Sequence, residues 1–238
     1  MSTRRFAALL LAALALTGCG GAGGGGSGGQ ATLWVTRDRG KTLVLEKRVE
    51  AGQTLMRALR GVAKVKTRYG GRYLQAVNGI EGSVVSQRDW FWFVNGYEGD
   101  RSAAEYALRP GDIAWLDYRS WRGEERAPVV VGAFPEPFLH GYDGERRPVA
   151  VRYAAPGLEA GARAIGDLLE ADTVAPLDRP VPEEANLFVL VAGKPRFRAE
   201  LREPGAAAGS PVRFTFAGDA RALSHDPTAV APRRYEAP

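Results

Sequence analysis

The sequence predicts an α+β protein built from two small modules behind an N-terminal anchor. Three observations lead there. Residues 31–122 carry several period-two strand signals around one short amphipathic helix, and residues 123–238 repeat strand and helix signals in a different order. The charge changes sign between them, with 16 Lys and Arg against 10 Asp and Glu in residues 31–122 and 14 against 17 in residues 123–238. All five tryptophans fall in the first module, and the polar stretch Gly123-Glu124-Glu125-Arg126 marks the boundary. A chain that is 45% hydrophobic and 25% charged is that of a globular protein, which excludes a disordered or fibrous one.

The anchor occupies residues 1–30. Arg4 and Arg5 precede an apolar run over residues 6–16, too short to span about 30 Å of hydrocarbon as a helix, so residues 1–18 read as a signal peptide. The run closes on Leu16-Thr17-Gly18-Cys19, which resembles the bacterial lipobox; the alternative is an ordinary signal peptide with an incidental cysteine. The resemblance implies that Cys19 takes a diacylglyceryl group and becomes the first residue after cleavage. Two acyl chains hold a protein on a bilayer where one does so only marginally. The expected location is therefore the cell membrane, facing outside the cytoplasm, with the lipid bilayer as partner through Cys19. Eight glycines between Gly20 and Gly29 make residues 19–30 a tether with an r.m.s. span of roughly 18 Å. Cys19 is the sole cysteine, which excludes an intramolecular disulfide, a four-cysteine zinc site and an iron–sulfur cluster.

In the first module, Leu33 and Val35, then Thr42-Leu43-Val44-Leu45, flank the turn Arg37-Asp38-Arg39-Gly40 and predict a β-hairpin. Glu50-Ala51-Gly52 breaks the second strand. Thr54 caps a helix on which Leu55, Leu59 and Val62 share a stripe. Tyr73–Val77 is a strand ending at Asn78-Gly79, and Trp90-Phe91-Trp92-Phe93-Val94 is another ending at Asn95-Gly96. Along the latter, Trp90, Trp92 and Val94 face one side and Phe91 and Phe93 the other, so both faces need cover. After the turn Arg109-Pro110-Gly111-Asp112, a last strand sets Ile113 and Trp115 opposite Ala114, Leu116 and Tyr118.

Four of these motifs, Glu50-Ala51-Gly52-Gln53-Thr54-Leu55, Val77-Asn78-Gly79-Ile80, Trp90-Phe91-Trp92-Phe93-Val94-Asn95-Gly96 and Tyr106-Ala107-Leu108-Arg109-Pro110-Gly111-Asp112, together resemble the transcobalamin-like C-terminal domain found in bacterial surface proteins. The resemblance spans residues 31–122 and implies a β-grasp-like fold that binds a soluble ligand. It implies cobalamin or another corrinoid as a ligand and an uptake transporter as a partner. Candidate ligand residues are Trp90, Trp92, Tyr97, Trp115 and Trp121, whose rings offer contact area, with Asn95 beside them. Against this stands the plain reading that strand aromatics are core and that Asn95-Gly96 is turn chemistry.

The second module begins at Val129-Val130-Val131. A loop marked by Pro135, Pro137, Gly141 and Gly144 leads to a strand at Pro148-Val149-Ala150-Val151-Arg152-Tyr153. Leu158, Ala162, Ile165, Leu168 and Leu169 make one helical stripe, Leu187-Phe188-Val189-Leu190-Val191 is a strand buried on both faces, and Val212 opens an alternating strand ending at Phe216. These elements predict a small α/β or α+β unit, compatible with a second β-grasp-like arrangement. Gly193-Lys194-Pro195 is a turn rather than a phosphate loop, and the last ten residues read as a frayed tail.

Neither His140 nor His225 sits in a metal-ligand or catalytic spacing, and no nucleophile elbow is present, so the sequence predicts a non-enzyme without a metal or cofactor. The basic charges of the first module stand singly, which argues against nucleic acid and leaves anionic lipid, an acidic ligand or simple solubility. The expected function is a lipid-anchored, extracytoplasmic binding protein that captures a small molecule or assists its uptake. The alternatives are a surface adaptor for a membrane or envelope protein and, behind it, a hydrolase using two carboxylates.

Overall fold

The structure, a computed structural model, describes residues 28–123 and 126–235. The signal segment, Cys19 and the tether up to residue 27 lie outside them. Strands β1 (Gln30–Arg37) and β2 (Thr42–Glu50) form the expected antiparallel hairpin, followed by α1 (Leu55–Val62). The Thr54 hydroxyl accepts from the Arg57 N–H at 3.3 Å, and Leu55, Met56, Ala58 and Leu59 make the buried face of α1. A small side sheet, β3 (Val65–Arg68), β4 (Tyr73–Val77) and β5 (Ile80–Glu81), precedes β6 (Arg88–Val94), β7 (Tyr97–Glu98) and β8 (Ile113–Ser120).

The main sheet has the order β2-β1-β8-β6-β7, with β8 parallel to β1 and antiparallel to β6. A hairpin, a helix and a return strand pairing in parallel with the first make the β-grasp-like arrangement. Alternation along the strands sorts the side chains as the sequence predicts. Leu33, Val35, Trp90, Val94, Ala114, Leu116 and Tyr118 share the core that contains α1. Trp34, Phe93 and Trp115, with half-buried Phe91 and Ile113, form the core of the opposite face.

What covers that opposite face corrects two expectations. Ala127, Val130 and Ala133, read from sequence as the start of the second module, pack on it. Glu98 N–H donates to Pro128 O at 3.1 Å and Val130 N–H to Gly96 O at 2.9 Å, so these residues extend the edge of the first sheet. Of the tail expected to be frayed, residues 229–235 are described and pack onto the fold, and residues 236–238 lie outside the described residues. Tyr235 is 4% exposed and its ring packs against Phe93 and Trp115 at 5.3 Å from each. An apolar sheet face this large must be covered, and among the described residues its cover comes from segments beyond the sheet.

The second sheet contains β9 (Val149–Tyr153), β10 (Thr173–Pro176), β11 (Asn186–Val191), β12 (Arg196–Leu201) and β13 (Val212–Ala217), in the order β10-β9-β11-β13-β12. The first four named neighbours run parallel and the outer strand β12 is antiparallel to β13. Without an opening hairpin, this unit is not a second β-grasp. Helix α2 (Glu159–Leu168) crosses from β9 to β10, and α3 (Ala220–His225) and α4 (Pro227–Val230) follow β13. Phe188 and Leu190 of β11 face the core with Ala162, Ile165 and Leu223, while Leu187 and Val189 pack with Ala150 and Val181 on the reverse. Strand β12 went unpredicted although Phe197, Ala199 and Leu201 alternate with charges.

The stretch between the sheets, expected to be a loop, is core. Phe134 and Phe138 are 3% and 0% exposed and join Phe188, Phe197 and Phe214 in a cluster of tilted and edge-to-face rings. Tyr97 O–H donates to Ser210 O at 2.7 Å, and one apolar core runs through both sheets.

Candidate functional site

The six ligand candidates do not converge on one surface. Trp115 is fully buried and its Nε1–H donates to the Thr36 hydroxyl at 2.7 Å. On the other face, Trp90 donates from Nε1 to Ile80 O at 3.1 Å and packs on Tyr118. Trp92 is half-buried against Tyr106, and lies so close over Gly99 that an added Cβ would meet its ring at 2.0 Å. Tyr97 and Asn95 are 1% and 0% exposed. Trp121 stands half-buried beyond the far end of β8.

Asn95 has a structural task at its turn. Asn95 and Gly96 take φ of 50° and 83°, the left-handed pair that a two-residue hairpin turn demands. The Asn95 side chain donates from Nδ2 to Asp112 Oδ1 and Gly141 O, both at 2.8 Å, and its Oδ1 accepts from the Ile113 N–H at 2.8 Å. It thereby joins β6, β8 and the inter-sheet stretch in one buried network.

A concavity lies at the junction of the two units. Strand β12 forms one wall, residues 127–131 the opposite wall, and residues 230–235 close a third side around about 710 Å³. Ligand clefts typically measure about 300–1,000 Å³. Ala127, Val129, Val130, Leu201, Ala231 and Tyr235 are buried, and Phe197 and Ala199 half-buried, so the groove is apolar. Arg196, Arg198 and Arg234 stand exposed among its lining residues with Glu200, whose carboxylate lies 4.0 Å from Arg213. Apolar walls with an excess of guanidinium groups fit an amphipathic molecule that carries an acidic group. A second concavity of about 630 Å³ at the ends of β9 and β10 is lined largely by exposed residues, among them Ala154, Ala155, Pro156, Leu177 and Asp178, and is a shallower host. Sequence reasoning missed the groove because its walls come from segments about 70 and 100 residues apart, none of them aromatic-rich.

The inter-sheet stretch also holds a titratable pair. Glu136 is 2% exposed, and its carboxylate accepts from the His140 backbone N–H at 3.0 Å and from the ring Nδ1–H at 2.5 Å. The Glu136 partner holds His140 above its ordinary pKa of 6.5, against the opposing effect of burial. Burial pushes Asp112 upward, against donation from the Arg109 N–H and Asn95. A histidine whose pKa is raised by folding stabilises the fold below its unfolded pKa, and that contribution disappears as pH rises through the folded value. We expect the melting temperature to fall by about 1–3 °C from this group between about pH 6 and about pH 8, after allowing for a ring that is partly solvent-screened. The measurement is the difference in melting temperature between the parent and His140→Gln across that window. A difference independent of pH would refute the assignment.

Among the described residues, no group of three or more His, Cys, Asp or Glu side chains is arranged to hold a metal ion, and no helix is long and apolar enough to cross a membrane.

Comparison with known proteins adds the following. Residues 52–120 match the family model described as "Domain of unknown function (DUF4430)". That span runs from the residues just before α1 to the end of β8. Among solved structures, the chain is similar to a "putative metal binding protein" from Ruminococcus gnavus ATCC 29149, at 18% identity and a TM-score of 0.31, over 39% of this chain and 97% of that one. It is also similar to haptocorrin in complex with Cbi, at 14% identity and a TM-score of 0.32, over 38% of this chain and 24% of haptocorrin. Both likenesses are distant. No curated protein matches.

Proposed function

We propose that this chain is a lipid-anchored, extracytoplasmic binding protein that captures a small amphipathic molecule with an acidic group in the groove between its two units. The observation that carries the reading is the groove itself: a space of about 710 Å³ with largely apolar walls, bordered by Arg196, Arg198 and Arg234. The transcobalamin-like motifs of the first unit make a corrinoid the first ligand class to test, and delivery to an uptake transporter the corresponding role. The Cys19 motif supports anchoring; retention of a Cys19→Ala chain on membranes after a carbonate wash would count against it. In this reading the chain binds and releases its ligand unchanged.

The test is a titration of the full chain with cobalamin, whose nucleotide loop carries a phosphodiester, and, separately, with 8-anilinonaphthalene-1-sulfonate as a generic amphipathic anion. Ala199→Trp places a ring in the groove and is expected to weaken saturable binding at least about tenfold. Absence of saturable binding of either probe, or equal binding by Ala199→Trp, would sink the groove assignment.

One observation favours an adaptor as the second reading. β12 is the outer strand of its sheet, and the groove runs along it, so an extended peptide could add to that edge. Co-purification of a membrane protein, lost on Ala199→Pro, would select this reading.

A further inference from the structure

Residues 51–80 contain six cations, Arg57, Arg60, Lys64, Lys66, Arg68 and Arg72, and no carboxylate. They equal the whole excess of six positive charges in residues 31–122, where the remaining ten cations and ten carboxylates balance. The fold gathers them. Arg57 and Arg60 are the exposed face of α1, opposite its buried Leu55, Met56, Ala58 and Leu59. Lys66 and Arg68 are the exposed alternate positions of β3, and Arg60 donates to the Thr67 hydroxyl at 3.0 Å, which joins helix and strand into one surface. Lys66 lies 3.9 Å from Glu81 and Arg72 pairs with Glu105. Among the described residues, Arg57, Arg60, Lys64 and Arg68 have no carboxylate within 4.0 Å.

Two further features lie in or next to this segment. Tyr69 is 77% exposed and Tyr73 37%, their rings 6.0 Å apart edge to face. The Ala51 N–H donates to Gly29 O at 2.9 Å, so the tether leaves the fold beside the residue that opens the basic segment.

We propose that this face rests on an anionic phospholipid surface and holds the protein flat against the membrane that carries its anchor. The proposal rests on the lipid-anchored reading. A tether of roughly 18 Å keeps the tether-exit side of the fold within reach of the headgroups. Each cation near an anionic leaflet strengthens association about fivefold, and tyrosine rings settle at the headgroup level. A nucleic acid would meet the same charge, but the short tether at this side selects the bilayer.

The test uses the full chain carrying Cys19→Ala, so that no acyl group contributes, in sedimentation with vesicles of phosphatidylcholine alone or mixed with phosphatidylglycerol. The apolar run over residues 6–16 gives a background shared by every variant. Combined Arg57→Gln, Lys64→Gln and Arg68→Gln, all at exposed positions, are expected to weaken binding to the anionic vesicles by about 10–100-fold at low salt and to leave neutral vesicles unchanged. Removing three exposed cations elsewhere, Lys194→Gln, Arg163→Gln and Arg221→Gln, is expected to cost much less. Equal binding to both vesicle types, parent-level binding by the first triple variant, or equally effective competition by single-stranded DNA would overturn the proposal. Palmitate labelling of the parent tests the anchor separately: label without vesicle preference removes this face but keeps the anchor, and vesicle preference without label does the reverse.

Discussion

Asp117→Ala is expected to cost about 3–5 kcal/mol and to lower the melting temperature by about 10 °C. Asp117 is 0% exposed on β8, and four donors converge on its carboxylate. The Thr36 hydroxyl donates at 2.6 Å, the Arg39 and Gly40 backbone N–H groups at 3.0 and 3.1 Å, and the Tyr235 hydroxyl at 2.8 Å. Thr36 in turn accepts from Trp115, so the network reaches the centre of the aromatic face. Burial and the neighbouring Asp117 charge push the Tyr235 phenol upward, so it stays a donor. Alanine would leave these donors in the interior without an acceptor, where each unsatisfied group costs about 1–3 kcal/mol. Tyr235→Phe removes one donor and is expected to cost only about 1 kcal/mol. Chemical denaturation of the two variants separates the cases, and a loss below about 1 kcal/mol for Asp117→Ala would mean that water replaces the carboxylate.

Phe138→Ala is expected to destabilise the chain by a similar amount, about 3–5 kcal/mol. Phe138 is 0% exposed, with ring centroids 5.0 Å from Phe214 and 6.3 Å from both Phe134 and Phe188. Its backbone carbonyl accepts from Arg146 Nε at 3.0 Å, which holds the stretch in place, so the surroundings cannot easily collapse into the void. Phe138→Leu, which keeps most of the volume, is expected to lose about half as much. A cost below about 1 kcal/mol for the alanine variant would show that this stretch folds over the second sheet without stabilising it.

The first unit was legible because local rules and tertiary packing agree there. Period-two alternation assigned Trp90, Phe93 and Trp115 to their faces, Thr54 announced the helix, and Asn95-Gly96 announced a hairpin turn. The candidate site was not legible. Aromatic side chains drew attention as ligand contacts, but a strand reports only which face a ring takes, not what later packs over that face. The cover for Trp115 comes from Tyr235, and the cover for Phe188 from Phe134 and Phe138, in segments whose Pro and Gly content disguised burial as loop. β12 was readable in principle from Phe197, Ala199 and Leu201, yet its intervening charges and short length made it look like surface.

The Asp117–Tyr235 contact joins positions 118 residues apart, which has a consequence for biogenesis. While the chain is being made, the first sheet has all its strands long before the segment that shields Phe93 and Trp115 exists. A nascent chain at that stage carries a bare aromatic surface and a carboxylate awaiting its last donor. The face that packs on α1 can close as soon as β8 is made, whereas full cover of the aromatic face waits until synthesis has passed Tyr235.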